Sequence, residues 1–158
     1  MTEQTAWNIS PAALTRAAQI GFATQAMWLG GLPYSAGWIL PQYVTPAIAL
    51  GQVAFAFNNQ SLAEAVLTWA YLSDQVGAEL SLYPLRPLHP SEWNEGVNLW
   101  ILASLGLPRA CAQLLDDTLR GPLRGFEQVN GFEQGRDGLP RGLVTGSPQL
   151  FSQMFRGR

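Results

Sequence analysis

Lysine is absent from this chain of 158 residues, so every one of its basic residues is an arginine. No lysine modification can therefore occur on the chain itself. Cysteine and histidine each occur once, as Cys111 and His89. A single cysteine excludes an internal disulfide and a cysteine-cluster metal site, and a single histidine excludes zinc sites built from several histidines.

Charge is scarce as well, since charged residues make up 13% of the chain and apolar residues 47%. A net charge of −2 argues against nucleic-acid binding, which needs a basic surface. No apolar run reaches the ~18 residues needed to span a membrane, and the N-terminus lacks the features of a secretory signal. We therefore expect a soluble, cytoplasmic protein with no transmembrane segment, no nucleic-acid partner and no bound metal.

The N-terminal third predicts one long helix followed by irregular structure. Ser10 is a good N-cap, Pro11 suits the first helical position, and Gly30-Gly31 is typical of a helix end. Prolines at positions 33, 41 and 46 prevent one continuous helix after it. For that stretch we predict a loop, a short helical or extended piece, and a second loop.

The middle of the chain carries two apolar, strand-like runs, residues 65–72 and 97–105, around which the rest is arranged. Residues 52–57 and 65–72 predict an antiparallel hairpin, because Asn58-Asn59 between them is a turn signal. A short helix is expected at 75–83, and the proline-rich residues 84–92 are expected to be irregular, with His89 solvated. Residues 97–105 predict the next strand, which breaks at Gly106.

The C-terminal part predicts a helix over 108–120, where Asp116 and Asp117 are expected to splay apart into solvent. A strand is predicted at 123–130, a hairpin or ordered loop at 131–146 with a weak strand at 139–144, and a final helix from Pro148. This order favours a single α+β (α/β) domain over residues 1–158, with a mostly antiparallel sheet flanked by helices. The strand–glycine–helix junction near Gly106 also directs backbone N–H groups at any ligand bound there.

The positions of several aromatic residues and glycines in this chain resemble those of a known family. The motif TWAYLS at 68–73 is followed by Trp93, Gly96, Trp100 and an apolar strand, and is preceded by WLGGLPY at 28–34 and TPAIALGQ at 45–52. Over residues 26–130 this pattern resembles the RTX toxin-activating lysine-acyltransferase family. The resemblance implies a GNAT-like fold, in which a twisted sheet has helices on both faces and the acyl donor enters where central strands splay. It also implies acyl carrier protein as the donor of a fatty acyl group to lysines of a protein substrate.

The chain departs from that family at the positions that carry its chemistry. The family's histidine falls on Tyr34, with Ser35 beside it, and the family's aspartate falls on Ala103. Tyrosine has an unperturbed pKa near ~10, so it is a poor general base at neutral pH. Alanine can neither orient nor stabilise a catalytic partner. A shift of one residue in the comparison restores neither side chain.

Two functions follow from this departure. The first is a pseudoenzyme that binds a protein partner, an acyl chain or acyl carrier protein, with a homodimer as a further option. The alternative is an active protein-lysine fatty acyltransferase that uses Tyr34 or Ser35, with backbone N–H groups at 106–110 stabilising the oxyanion. The residues predicted to bind the acyl chain or its carrier are Trp69, Trp100, Gly106, Arg109 and Arg120, with Arg86 and Arg124 as further phosphate-binding candidates.

Overall fold

A computed structural model of the protein describes residues 10–156, with side chains described as far as residue 154. Its helices are α1 (Pro11–Leu29), α2 (Thr45–Leu50), α3 (Asp74–Leu82), α4 (Pro108–Arg120) and α5 (Pro148–Arg156). Its strands are β1 (Val53–Phe57), β2 (Ala63–Leu72), β3 (Asn98–Gly106), β4 (Val129–Gln134) and β5 (Pro140–Gly146). Short 3-10 helices cover Tyr34–Trp38 and Pro90–Asn94, and a π-helical turn covers Leu40–Val44.

The strands form one sheet in the order β1-β2-β3-β4-β5. All neighbouring pairs are antiparallel except β3 and β4, which are parallel. One hydrophobic core lies between the sheet and the first three helices, and a second lies between the opposite face and α4 and α5. We refer to these two sides as the α1 face and the α4 face. The predicted α+β class with a mostly antiparallel sheet is confirmed, and the layout is consistent with a GNAT-like domain.

Local signals placed α1 correctly. The Ser10 side chain accepts a hydrogen bond from the Ala13 N–H at 3.2 Å, as expected of an N-cap. At the other end the Gly30 N–H donates to the Ala26 carbonyl, and a Cβ on Gly30 would lie 2.6 Å from the Gly106 carbonyl oxygen. The end of α1 therefore packs directly on the backbone at the end of β3, and only glycine permits that approach.

The prediction of loops around a short piece between α1 and β1 was wrong. This stretch is a succession of short helical segments: the 3-10 helix Tyr34–Trp38, the π-helical turn Leu40–Val44 and α2. Pro41 and Pro46 each lie in the first turn of their segment, where a missing N–H costs nothing. The prolines thus start new helical turns and do not interrupt structure.

The predicted strand at 123–130 was also wrong. Residues 121–125 form turns after α4, and Leu123 is buried against the α4-face core from that turn, with its N–H bonded to the Thr118 carbonyl at 3.0 Å. The strand β4 begins only at Val129 and pairs with β5, so the predicted hairpin in the following residues is confirmed. Leu123 is apolar because a turn buries it, so its hydrophobicity does not indicate a strand.

Two predictions about polar residues had different outcomes. His89 is exposed as expected, and its ring nitrogen Nδ1 accepts from the Ser91 N–H as the cap of a 3-10 helix. Asp117 is exposed, but Asp116 is only 6% exposed, so the expectation that both aspartates are solvated was wrong. The two side chains do point in different directions around α4, and that of Asp116 lies on the side that faces α5.

Candidate functional site

A β-bulge opens the sheet next to its parallel pair. In the pairing of β2 with β3, Thr68 lies opposite Ala103 and Trp69 lies opposite Ile101, so Leu102 is an extra residue. The parallel pairing of β3 with β4 ends at Ile101 and Gly131. Beyond that point β3 stays with β2 and β4 stays with β5, and the two central strands diverge.

The divergence leaves a cleft of about 530 Å³ between the strand ends. One wall is the end of α1 and the end of β3, and a second is the first half of α4. The opposite wall is the end of β4 with the following turn, together with single residues of β5 and α5. The lining residues with apolar side chains are Leu32, Leu105, Pro108, Ala112, Leu115, Val144 and Met154. The lining residues with polar or charged side chains are Ser104, Cys111, Glu133, Gln134 and Arg136.

Gly106 forms the corner of the cleft where β3 turns into α4. Its φ is +136°, and a Cβ there would overlap the Glu64 carbonyl oxygen of β2. The Leu107 N–H that follows donates to the same carbonyl at 2.8 Å, so this backbone is held in the sheet. The glycine turn predicted from the sequence is therefore present and lines the cleft.

Cys111 is the thiol of the cleft, and its environment keeps it protonated. Burial raises the pKa of Cys111 to about 11, although a hydrogen bond with the Ser104 side chain acts in the opposite direction. A nucleophilic cysteine needs a thiolate near neutral pH. The cleft thus holds a thiol that is not activated for covalent acyl transfer.

This thiol gives a direct test of the cleft's polarity. At pH 8 we expect alkylation of Cys111 by iodoacetamide to be roughly a hundredfold slower than that of a free cysteine, whose pKa is ~8.5. The rate should rise until the pH passes about 11. A plateau of the pH–rate profile near pH 8.5 would contradict the burial of the thiol. Ser104→Ala removes the opposing hydrogen bond and should move the profile to still higher pH.

The two residues expected from the resemblance to correspond to the family's histidine, Tyr34 and Ser35, lie outside the cleft lining. Tyr34 begins the 3-10 helix Tyr34–Trp38 and its side chain is fully exposed, and Ser35 is exposed as well. Leu32, two residues earlier, does line the cleft. Tyr34 is therefore near the cleft in sequence, but its side chain is in solvent and not among the residues that line the cleft.

Ala103 is buried in the core of the α1 face and does not line the cleft. It is 1% exposed and belongs to the α1-face core, because the bulge at Leu102 turns two successive side chains of β3 towards that face. Its partner across the strands is Thr68, whose fully buried hydroxyl has no hydrogen-bond partner among the described residues. The structure does not bring Tyr34 and Ala103 into contact.

The predicted binding residues separate into core and surface groups. Trp69 is buried on the α4 face, where its Nε1–H donates to the Tyr71 hydroxyl at 3.2 Å. Trp100 is buried on the α1 face, with its ring centroid 5.8 Å from that of Phe132. Neither tryptophan lines the cleft, whereas Gly106 does.

The arginines differ in how far they are available to a ligand. Arg109 is exposed in the first turn of α4, next to the cleft residue Pro108, and Arg124 is exposed after that helix. Arg120 lines a separate cavity of about 380 Å³ between α4 and α5. Arg86 is engaged within the chain, because its guanidinium pairs with both carboxylate oxygens of Glu92 at 2.9 and 2.6 Å and with Glu79 at 3.1 Å. The hydrogen bond to Glu92 is the main cause of the raised pKa of Arg86.

Residues 10–156 contain no cluster of three or more side chains able to hold a metal ion. No helix in the same range combines the length and hydrophobicity that crossing a membrane requires. The ionisable side chains that line the cleft are those of Cys111, Glu133 and Arg136.

The five-stranded sheet with helices on both faces is consistent with a GNAT-like domain. The sequence profile of the RTX toxin acyltransferase family matches residues 38–121, more than half of the chain. The chain belongs to this family. No match was found among curated proteins.

The matched segment contains some predicted site residues and omits others. Ala103, Gly106 and both core tryptophans lie inside it, whereas Tyr34 and Ser35 lie before its start. Sequence reasoning missed Cys111, Ala112 and Leu115, which line the cleft together from α4. Their spacing along one helical face is the signal that could have found them. Glu133 and Arg136 were missed because β4 was predicted too early in the chain.

Proposed function

We propose that this chain is a catalytically degenerate member of its family. In this proposal it holds an acyl chain, presented by acyl carrier protein, in the cleft between β3 and β4, and acts as a binding or assembly partner of another protein. The observation that carries the proposal is the contrast between the cleft and its chemistry. A cleft of about 530 Å³ is present, but the residues that the resemblance assigns to the acid and the base are Ala103, which is buried, and Tyr34, which is exposed.

Transfer to a lysine requires proton movements that these side chains do not support. The amine attacks the thioester carbonyl, forms an amide and loses a proton to a base, while the thiol leaves with the carrier. Ala103 has no group that could accept that proton, and the Tyr34 side chain lies in solvent outside the cleft lining. The Cys111 thiol is equally unsuited, since burial raises its pKa to about 11.

Binding, in contrast, needs only the apolar walls. Each buried methylene contributes about 0.8 kcal/mol, so ten methylenes contribute about 8 kcal/mol. This energy corresponds to a micromolar Kd before the entropy lost on ordering the acyl chain is subtracted. The exposed Arg109 and the cleft residue Arg136 offer positive charge to an acidic carrier.

The alternative, an active lysine acyltransferase, has one observation in its favour. Glu133 lines the cleft and is a carboxylate that could act as general base. This version of the mechanism depends on Glu133, with the backbone at 106–110 near the developing oxyanion.

Mass spectrometry separates the two functions. The purified protein is mixed with palmitoyl acyl carrier protein and a lysine-bearing protein substrate. We expect a stoichiometric complex with the charged carrier and no palmitoyl mass on lysine. Transfer that persists in Tyr34→Phe and Ser35→Ala but fails in Glu133→Gln would establish the alternative. Glu127→Gln, an exposed site before β4, is the matched control.

A further inference from the structure

A group of apolar side chains projects into solvent at the end of α3. Leu82, Tyr83 and Leu85 are 75%, 67% and 53% exposed, so three large apolar side chains lie in solvent within four residues. Exposed apolar residues scattered singly over a surface are ordinary, but a contiguous group of them marks an interaction surface. We refer to these three residues as the α3 turn.

Hydrogen bonds hold the backbone of the α3 turn in place. The Tyr43 hydroxyl donates to the Pro84 carbonyl at 3.1 Å, and the Gln42 side chain donates to the Leu85 carbonyl at 3.0 Å. The ion pairs of Arg86 fix the residue that follows. An ordered turn loses little conformational entropy when a partner covers it, so its exposed side chains are suited to binding.

The surroundings of the α3 turn are acidic. Residues 65–108 contain one arginine, Arg86, and four acidic residues, two of which already pair with that arginine. The other two, Asp74 and Glu95, are exposed and form no ion pair with a described residue. Helix α3 also has no basic residue in its last turn, where the backbone carbonyls carry partial negative charge. This side of the molecule therefore attracts cations.

The acidic and apolar groups lie along one face of α3. Asp74, Ala78 and Leu82 are exposed and follow each other at intervals of four residues. Eight residues of helix extend about 12 Å, so the carboxylate and the leucine are about two turns apart. Glu95 lies at the acidic end, because the adjacent Gly96 lies against the backbone at the start of α3. The small side chain of Ala78 lets another helix approach between the two ends.

We propose that this face of α3 binds an amphipathic helix of another protein whose polar side is basic, an assignment that rests on the proposed function for the existence of a protein partner. Apolar side chains of that helix cover the α3 turn, and its lysine or arginine side chains pair with Asp74 and Glu95. A further cation lies at the C-terminal end of α3, beside its last carbonyls. Binding here uses neither the cleft nor an acyl chain.

Charge distinguishes this partner from other surfaces that could cover the α3 turn. A second copy of the chain would bring the carboxylates of Asp74 and Glu95 close to those of its partner, and like charges at a contact are unfavourable. An anionic bilayer repels the same carboxylates, and the arginine that could attract it, Arg86, is engaged within the chain. A basic helix is attracted by the carboxylates and covers the apolar side chains.

Fluorescence anisotropy with a designed peptide tests this surface on the full chain, with no acyl carrier present. The probe is a labelled helical peptide of roughly 18 residues, with leucine on one face and lysine on the other. We expect a Kd in the micromolar range that weakens as salt rises, because the attraction between lysine and carboxylate is screened. The same peptide with glutamate in place of lysine should bind about tenfold more weakly or worse.

Matched substitutions test whether the leucines of the α3 turn make the contact. Leu82→Ser with Leu85→Ser should weaken binding of the lysine peptide by about tenfold or more, because two leucine side chains no longer become buried against it. Leu143→Ser with Leu150→Ser is the control. It removes two leucines that are each 49% exposed elsewhere on the molecule, and it should leave the affinity unchanged.

A second pair of variants tests the acidic end. Asp74→Asn with Glu95→Gln should weaken binding about fivefold and reduce its salt dependence, because two attractive charges are lost. Asp117→Asn with Glu127→Gln neutralises two exposed acids at and beyond α4, and should bind like the parent.

Several results would overturn the proposal. Equal binding of the lysine and glutamate peptides would show that charge does not select the partner, and equal losses in a variant and its control would place the contact elsewhere. Binding to phosphatidylglycerol vesicles in preference to the peptide would assign the α3 turn to a membrane surface. Self-association that Leu82→Ser with Leu85→Ser abolishes would assign it to a second copy.

A parallel titration with palmitoyl acyl carrier protein keeps the two proposals apart. Peptide binding without a carrier complex would overturn acyl binding alone and support this surface. A carrier complex without peptide binding would overturn this surface alone.

Discussion

Ala112→Trp should remove acyl binding while leaving the protein folded. Ala112 is a half-buried residue of α4 that lines the cleft, so an indole at this position would fill the space that we propose for the acyl chain. Displacement of about four methylenes costs about 3 kcal/mol, which is a loss of affinity on the order of a hundredfold. Titration with palmitoyl acyl carrier protein measures this effect.

The adjacent residue supplies the control for that substitution. Gln113 is exposed on the outer face of α4, so Gln113→Trp adds the same indole outside the cleft and should bind like the parent. Equal loss in both variants would show that the carrier recognises the surface of α4. Equal retention in both would place the acyl chain elsewhere.

Gly106→Ala should be the most damaging single substitution at the cleft. Its φ of +136° is strained for any residue with a Cβ, and that Cβ would overlap the Glu64 carbonyl of β2. We expect a loss of about 3 kcal/mol or more in the free energy of unfolding, because strain and a backbone clash act together. Urea denaturation followed by circular dichroism measures it.

Another strand glycine provides the comparison. Gly142 of β5 has an ordinary φ, and a Cβ there would meet nothing within 4 Å. Gly142→Ala should therefore be neutral or stabilise by roughly 0.5–1 kcal/mol through the unfolded state. A similar loss in both variants would mean that Gly106 matters only as a generic strand glycine.

Features encoded by neighbouring residues could be predicted from the sequence. The Ser10 cap, the glycine end of α1 and the hairpin of β1 and β2 depend on local chemistry, and all are present. The same holds for the strand before Gly106, which begins and ends within one residue of its predicted limits. The family was also recognised, because its aromatic and glycine pattern lies largely within the matched residues.

Features that depend on distant residues could not be predicted. The cleft exists because Leu102 is an extra residue relative to β2, some thirty residues earlier, and no local pattern reveals that register. Leu123 is apolar because it packs into the core from a turn, and its hydrophobicity led to a strand being predicted there. The predicted β4 therefore started too early, and Glu133 was not predicted as a cleft residue. Asp116 faces α5, a helix whose position depends on the whole sheet.

The bulge at Leu102 also determines what surrounds any acid introduced at position 103. It turns position 103 into the α1-face core, where Ala103 packs in the same cluster as Ala23 and Ala26. A carboxylate at this position would lie beside the Thr68 hydroxyl, which has no hydrogen-bond partner among the described residues, and within a cluster of hydrophobic side chains. Burying a charge without a partner is costly, so an acid at position 103 would require compensating changes in the core around it.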